Sequence, residues 1–206
     1  MSCKRQAYRR LRPGQMAKTN RKYTIMKGYS WLRGTLDTCQ WGRWVWNVQN
    51  VTKYSFICWL MMQGKLLTKD KLTNRGISSD GLCVLCGNAP ESIEHLSYEC
   101  HFFKLCINEV LQLLKISITN YEGRHLWKRI GRKMGSKFRK EFSYAILVAL
   151  SYHIWRGRNE ALWKCVVPRP SKICAQIKKE CKVRVMEIIN KIKRDKDRRW
   201  IEEVYS

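Results

Sequence analysis

The chain is predicted to be mainly α, a helical domain built around one short cysteine-rich loop. Three observations lead there. Apolar residues recur at three-to-four spacing in several stretches. No long alternating stretch competes as a strand. The one segment with neither period concentrates Cys and His.

Taken in order, residues 1–22 hold Arg9, Arg10 and Arg12 ahead of Pro13-Gly14 with few large aliphatics, the composition of a flexible arm that orders on contact. Trp31, Trp41, Trp44, Trp46 and Trp59 then fall close together, a density suited to a small core. Phe56, Ile57, Leu60 and Met61 predict a short buried helix ended by Gly64, and Asp70 to Arg75 a second one closed by Gly76. Phe103, Ile107, Val110, Leu111 and Leu114 describe an amphipathic helix. A longer one carries Phe138, Phe142, Ile146, Leu150 and His153 and runs to about Lys164, before Pro168 and Pro170. Ile173, Ile177, Cys181, Val185, Ile188 and Ile192 form a last stripe, which needs the rest of the chain or a partner helix to cover it.

The 206 residues include 41 Lys plus Arg against 16 Asp plus Glu, a formal net charge of +25 that favours a polyanionic partner over a small acidic substrate. The charge is unevenly spread. Residues 1–36 have ten basic and no acidic side chains, 37–123 have eight of each, and 124–206 have 23 basic against eight acidic. This pattern suggests a neutral folded centre with cationic ends. The longest nearly apolar stretch, Phe142 to Trp155, is too short and too polar for a membrane span, which takes about 20 residues. The start Met1-Ser2-Cys3-Lys4-Arg5 leads into no apolar segment, so no secretory signal is expected. A reducing compartment follows, nuclear or cytoplasmic, with an organellar transit peptide as the alternative for the Arg-rich start.

Of the ten cysteines, Cys83, Cys86 and Cys100 stand with His95 in the spacing Cys-x2-Cys-x8-His-x4-Cys. Two cysteines two residues apart can bring both sulfurs to one ion through a tight turn, here followed by Gly87, and the His and third Cys complete a tetrahedron. Three thiolates and an imidazole suit one structural zinc, a small CCHC zinc-knuckle-like element with no place for an activated water. His101 is the competing imidazole, but His95 gives the more usual loop length.

The residues around this set resemble the reverse-transcriptase zinc-binding domain of plant LINE-type non-LTR retrotransposons. The resemblance rests on Tyr23-Thr-Ile-Met-Lys-Gly-Tyr29-Ser-Trp31, Trp44-Val-Trp46-Asn, Ser55-Phe56-Ile-Cys-Trp59-Leu, Gly64-Lys-Leu-Leu-Thr68-Lys-Asp70-Lys-Leu72 and the Cys/His set with Glu91-Ser92 and His95-Leu96. Tyr152-His-Ile-Trp155-Arg156-Gly-Arg158-Asn159 is similar to the helix that commonly follows. Val51-Thr52-Lys53-Tyr54 lacks the proline usual in that family, so the start of the following helix is expected to differ. No Tyr-x-Asp-Asp polymerase core, endonuclease carboxylate set or ribonuclease H domain is visible in the sequence, and the resemblance implies a C-terminal module.

The expected organisation is a basic flexible arm (1–22), a zinc-binding domain (23–120), a basic connector (121–141) and a C-terminal helical region (142–206). The metal loop between Gly81 and Cys100 holds no Lys or Arg, while Glu91, Glu94 and Glu99 would repel a phosphate. Binding of RNA or DNA, RNA foremost, is therefore assigned to Arg9, Arg10, Arg12, Lys128, Arg129, Arg132, Lys133, Lys137, Arg139, Lys140, Arg156 and Arg158. Lys191, Lys193, Arg194, Arg198 and Arg199 add to it. No enzyme, small-molecule substrate or membrane span is expected. The alternatives are a protein adaptor working through the helix at 173–192, or the product of a decayed element.

Overall fold

Nearly every stretch that repeats its apolar residues at helical spacing is a helix. The computed structural model describes residues 39–77, 80–118 and 123–206; the expected arm with Arg9, Arg10 and Arg12, and the motif at Tyr23 to Trp31, lie outside the described residues. Helix α1 (Gly42–Val45) is one turn that buries Trp44 and Val45. Helix α2 (Thr52–Met62) starts directly after the extended residue Val51 with no side-chain cap, in the segment that lacks the proline. It stops at Gly64, whose φ of +68° suits glycine. Helix α3 (Lys69–Thr73) is short, and α4 (His101–Leu113) buries the face read from Phe103 to Leu111. Helices α5 (His125–Lys133), α6 (Lys137–Lys164), α7 (Pro170–Ile188) and α8 (Asp195–Tyr205) complete the order. Among the described residues there is no strand, only an isolated antiparallel bridge between Leu82 and Pro90.

Helix α6 is the axis of the unit formed by residues 39–206. Its 28 residues span about 42 Å. Ser136 caps its start by accepting from the Arg139 amide at 3.1 Å. It ends at Cys165 in the left-handed region, and Pro168 and Pro170 follow. Every residue from Phe142 to Leu150 is buried, because α1, α2, α4, α5 and α7 surround that stretch. No helix among the described residues is long and apolar enough to cross a membrane.

Within the stretch expected as a basic connector, α5 buries Leu126, Trp127 and Ile130, and α6 runs on through 141/142. Trp127 stacks on Trp44 with centroids 5.8 Å apart and is part of the core. Gly131 is a packing residue, because a Cβ there would run into the Tyr144 hydroxyl.

The apolar stripe of α7 also finds its cover within the chain. Ile173, Cys174, Ile177, Cys181 and Val185 are all buried, and Ile192 just beyond the helix is buried too. α7 packs on α4 and α6, which removes the apolar surface through which residues 173–192 were expected to meet a partner. His153 is a satisfied core histidine: its Nε2 lies 2.9 Å from Glu180 Oε2 on α7, and the Tyr54 hydroxyl donates to that same oxygen at 2.7 Å. Burial and this hydrogen bond push the Tyr54 pKa well above its usual range.

The basic tail, read as a run of charge, continues into a docked helix. α8 buries Asp197, Trp200, Ile201, Val204 and Tyr205, and Phe142 of α6 meets Trp200 and Tyr205 edge to face.

Candidate metal centre

The loop from Gly81 to Cys100 folds back on itself through backbone bonds. Glu91 N–H donates to Gly81 at 2.8 Å, Cys83 N–H to Ala89 at 2.8 Å, and Gly87 N–H to Cys83 at 2.8 Å. Gly87, with φ +68°, makes the turn that follows Cys86. Ser92 Oγ then accepts from His95 N–H at 3.0 Å and opens a short helical stretch. Residues His95–Glu99 are wound as one π-helical turn, closed by Cys100 N–H on His95 C=O at 2.8 Å. On an α-helix, positions five apart face about 140° away from each other. The wider turn, followed by the extended Cys100, brings the His95 imidazole and the Cys100 sulfur together, the kind of local distortion common at functional sites.

One ligand atom from each of Cys83, Cys86, His95 and Cys100 lies within 4.8 Å of all the others. Cys83 Sγ is 4.0 Å from Cys100 Sγ, and Cys86 Sγ is 3.3 Å from His95 Nε2. A tetrahedral zinc with ordinary bond lengths needs sulfur–sulfur separations of about 3.8 Å and sulfur–nitrogen separations of about 3.6 Å. The set therefore fits one zinc ion, with four protein donors and no open position. Cys83, His95 and Cys100 are buried, and Cys86 is half-buried. His101 is exposed and stands outside the set.

Charge at the site suits a cation. The neighbouring Cys100 thiol, followed by the Cys86 and Leu85 amides, holds Cys83 down at about 5 against the opposing effect of burial. The same contact drives Cys100 well up, although the Phe102 and Phe103 amides at the start of α4 favour its thiolate. Two thiolates this close share a proton until a divalent ion replaces it. Cys58 and Cys181, by contrast, are pushed up to about 12 by burial and are inert packing thiols.

Behind the ligands lies a contact that sequence reasoning missed. Glu91, with none of its surface exposed, accepts at Oε1 from Arg158 Nη2 at 2.6 Å, Arg158 Nε at 3.0 Å and the Lys69 amide at 2.8 Å. Its carbonyl accepts from the Asp70 amide at 3.2 Å. One residue thus joins the metal loop, the start of α3 and helix α6. Glu91 is consequently not one of the carboxylates facing solvent, a role left to Glu94 and Glu99.

The expected nucleic-acid contacts divide. Arg158 is buried and ion-paired, so it is not available to a phosphate. Arg139 donates through Nε to buried Asp197 at 2.8 Å and through Nη2 to Lys196 C=O at 2.6 Å, which makes it a docking residue for α8. Arg156 is exposed and pairs with Glu160 at 3.0 Å. Lys128 and Arg129 are half-buried, while Arg132, Lys133, Lys137 and Lys140 are exposed, Lys137 beside Glu141 at 3.7 Å.

Residues 23–106 match the model of the family described as zinc-binding in reverse transcriptase. No curated protein and no solved structure matches the chain. The matched stretch contains all four candidate ligands, spaced and assembled to hold one zinc, and ends within α4, so Arg158 lies beyond it. With a loop geometry that fits one zinc ion, residues 23–106 are similar to the family described as zinc-binding in reverse transcriptase.

Proposed function

We propose that the protein is a non-catalytic module that binds nucleic acid, RNA foremost, with Cys83, Cys86, His95 and Cys100 holding one zinc that shapes its fold. The observation that carries this reading is the contact at Asp197. That buried carboxylate takes Ser136 Oγ at 2.9 Å and Arg139 Nε at 2.8 Å, tying the start of α6 to the start of α8. Arg132, Lys133, Lys137 and Lys140 thereby share one end of the molecule with Arg194, Lys196 and Arg199, all exposed. Such a cationic pole attracts phosphates without reading sequence. The metal loop, with Glu94 and Glu99 exposed and no cation of its own, is the less favourable approach. Zinc in this reading closes the fold, since four protein donors leave no coordination position for a reacting water. A reducing compartment, nucleus or cytoplasm, keeps the thiols able to ligate.

The test is a native mass spectrum of the full chain with and without a short RNA, together with retention on that RNA across a salt series. One zinc per chain and retention that falls steeply with salt are expected. A chain that carries zinc but is not retained at low salt overturns the nucleic-acid reading.

A further inference from the structure

The C-terminal part of α6 carries a cavity of about 330 Å³ that no metal ligand touches. Tyr152, Arg156, Asn159 and Trp163 recur along it at helical spacing and so share one stripe. Trp163 is 80 % exposed, an unusual position for the largest apolar side chain of a helix. Trp155 and Lys164 also line the cavity. We propose that this cavity seats an unpaired base of single-stranded nucleic acid, stacked on Trp163 and met at its edge by Asn159 and Glu160. The inference rests on the nucleic-acid reading above and names the form of strand that it takes.

The site is an open groove with apolar walls and a few polar groups at the rim, shaped to take a flat ring on one face. Those polar groups are held in place. Arg158 donates through Nη1 to Asn159 Oδ1 at 3.0 Å and sits over the Trp155 ring at 5.1 Å, while its other nitrogens are fixed on Glu91. The metal loop therefore orients the rim through a single guanidinium. Glu160 offers carboxylate oxygens steadied by Arg156 Nε at 3.0 Å. Lys164 on the rim, Arg156, and Lys53, 5.2 Å from the centre of the Tyr152 ring, supply charge for the flanking phosphates. A duplex keeps its base faces inside the stack, whereas a single strand presents them to an indole.

The experiment uses the zinc-loaded full chain and fluorescence anisotropy with a labelled single-stranded oligonucleotide, the same strand carrying abasic positions, and its duplex. Trp163→Ala, a surface change, is expected to weaken single-strand binding about tenfold and leave duplex binding unchanged. The slope of affinity against salt should stay the same, because no phosphate contact is lost. Trp163→Phe should recover most of the affinity, and abasic strands should bind wild type as weakly as intact strands bind Trp163→Ala. Two results overturn the assignment. Either the variant binds single strands like wild type while charge reversal at Lys133, Lys137 and Lys140 weakens them, which leaves the nucleic-acid reading standing and returns the cavity to a polypeptide partner, or it loses single strand and duplex equally. If wild type binds neither strand nor duplex at low salt, the nucleic-acid reading itself falls and takes this site with it.

Discussion

Arg158 and Glu91 stand 67 residues apart in sequence and form a buried ion pair of 2.6 Å, joining the C-terminal part of the long helix to the metal loop. Removing the arginine leaves a carboxylate with no exposed surface and only the Lys69 amide for a partner at Oε1. Arg158→Leu should therefore cost about 3–5 kcal/mol in denaturant unfolding, and the Glu91→Leu, Arg158→Leu double variant should recover part of that loss. A cost below about 1 kcal/mol would show that the pair does not hold the loop to the helix.

Metal removal is the second prediction. Chelation, or Cys83→Ser, should abolish the cooperative melt of the wild-type chain, since binding free energy at such a site is folding free energy. The sign with pH follows from the ligands, since protons compete with zinc for the three thiolates and the imidazole. Zinc retained against a fixed chelator should accordingly decline on acidification. A metal-free chain melting at the native temperature would remove zinc from the account of the fold.

Much of this was legible because local periodicity and ligand spacing are local properties. α2, α4, α6 and α7 appear in the sequence as repeating apolar positions, and the Cys-x2-Cys-x8-His-x4-Cys spacing names the four residues that meet. α5 was hidden because Leu126, Trp127 and Ile130 lie among eight cations that dominate any reading by composition. α8 was hidden the same way, although Asp197, Trp200, Ile201, Val204 and Tyr205 do carry helical spacing. The Glu91 and Arg158 pair left no local signal at all. Each looks like an ordinary surface charge until the fold removes water from both.

The cationic pole makes the third prediction. Lys133, Lys137 and Lys140 are exposed, so replacing all three by Glu should leave the melting temperature within a few degrees of wild type. Retention on single-stranded RNA should fall, and the slope of log affinity against log salt should decrease by about 2 if each lysine meets one phosphate. An unchanged slope would move the binding surface off this end of the molecule.

The last prediction separates docking of α8 from folding of the rest. Asp197 is buried and is the shared acceptor of Ser136 and Arg139, while Trp200 beside it lies against Phe142 and under the Arg139 guanidinium at 5.3 Å. Asp197→Ala strands the Arg139 and Ser136 donors in a partly buried site and should cost about 1–3 kcal/mol. The loss should be local. Hydrogen exchange should rise across Asp195–Tyr205 with little change in α2, α4 or the middle of α6, because a locally docked element opens below the global unfolding energy. Since α8 also brings Arg194, Lys196 and Arg199 to the basic pole, the same variant should weaken RNA retention even though it removes a negative charge. Stronger retention instead would mean that net charge, and not the docked arrangement, governs binding.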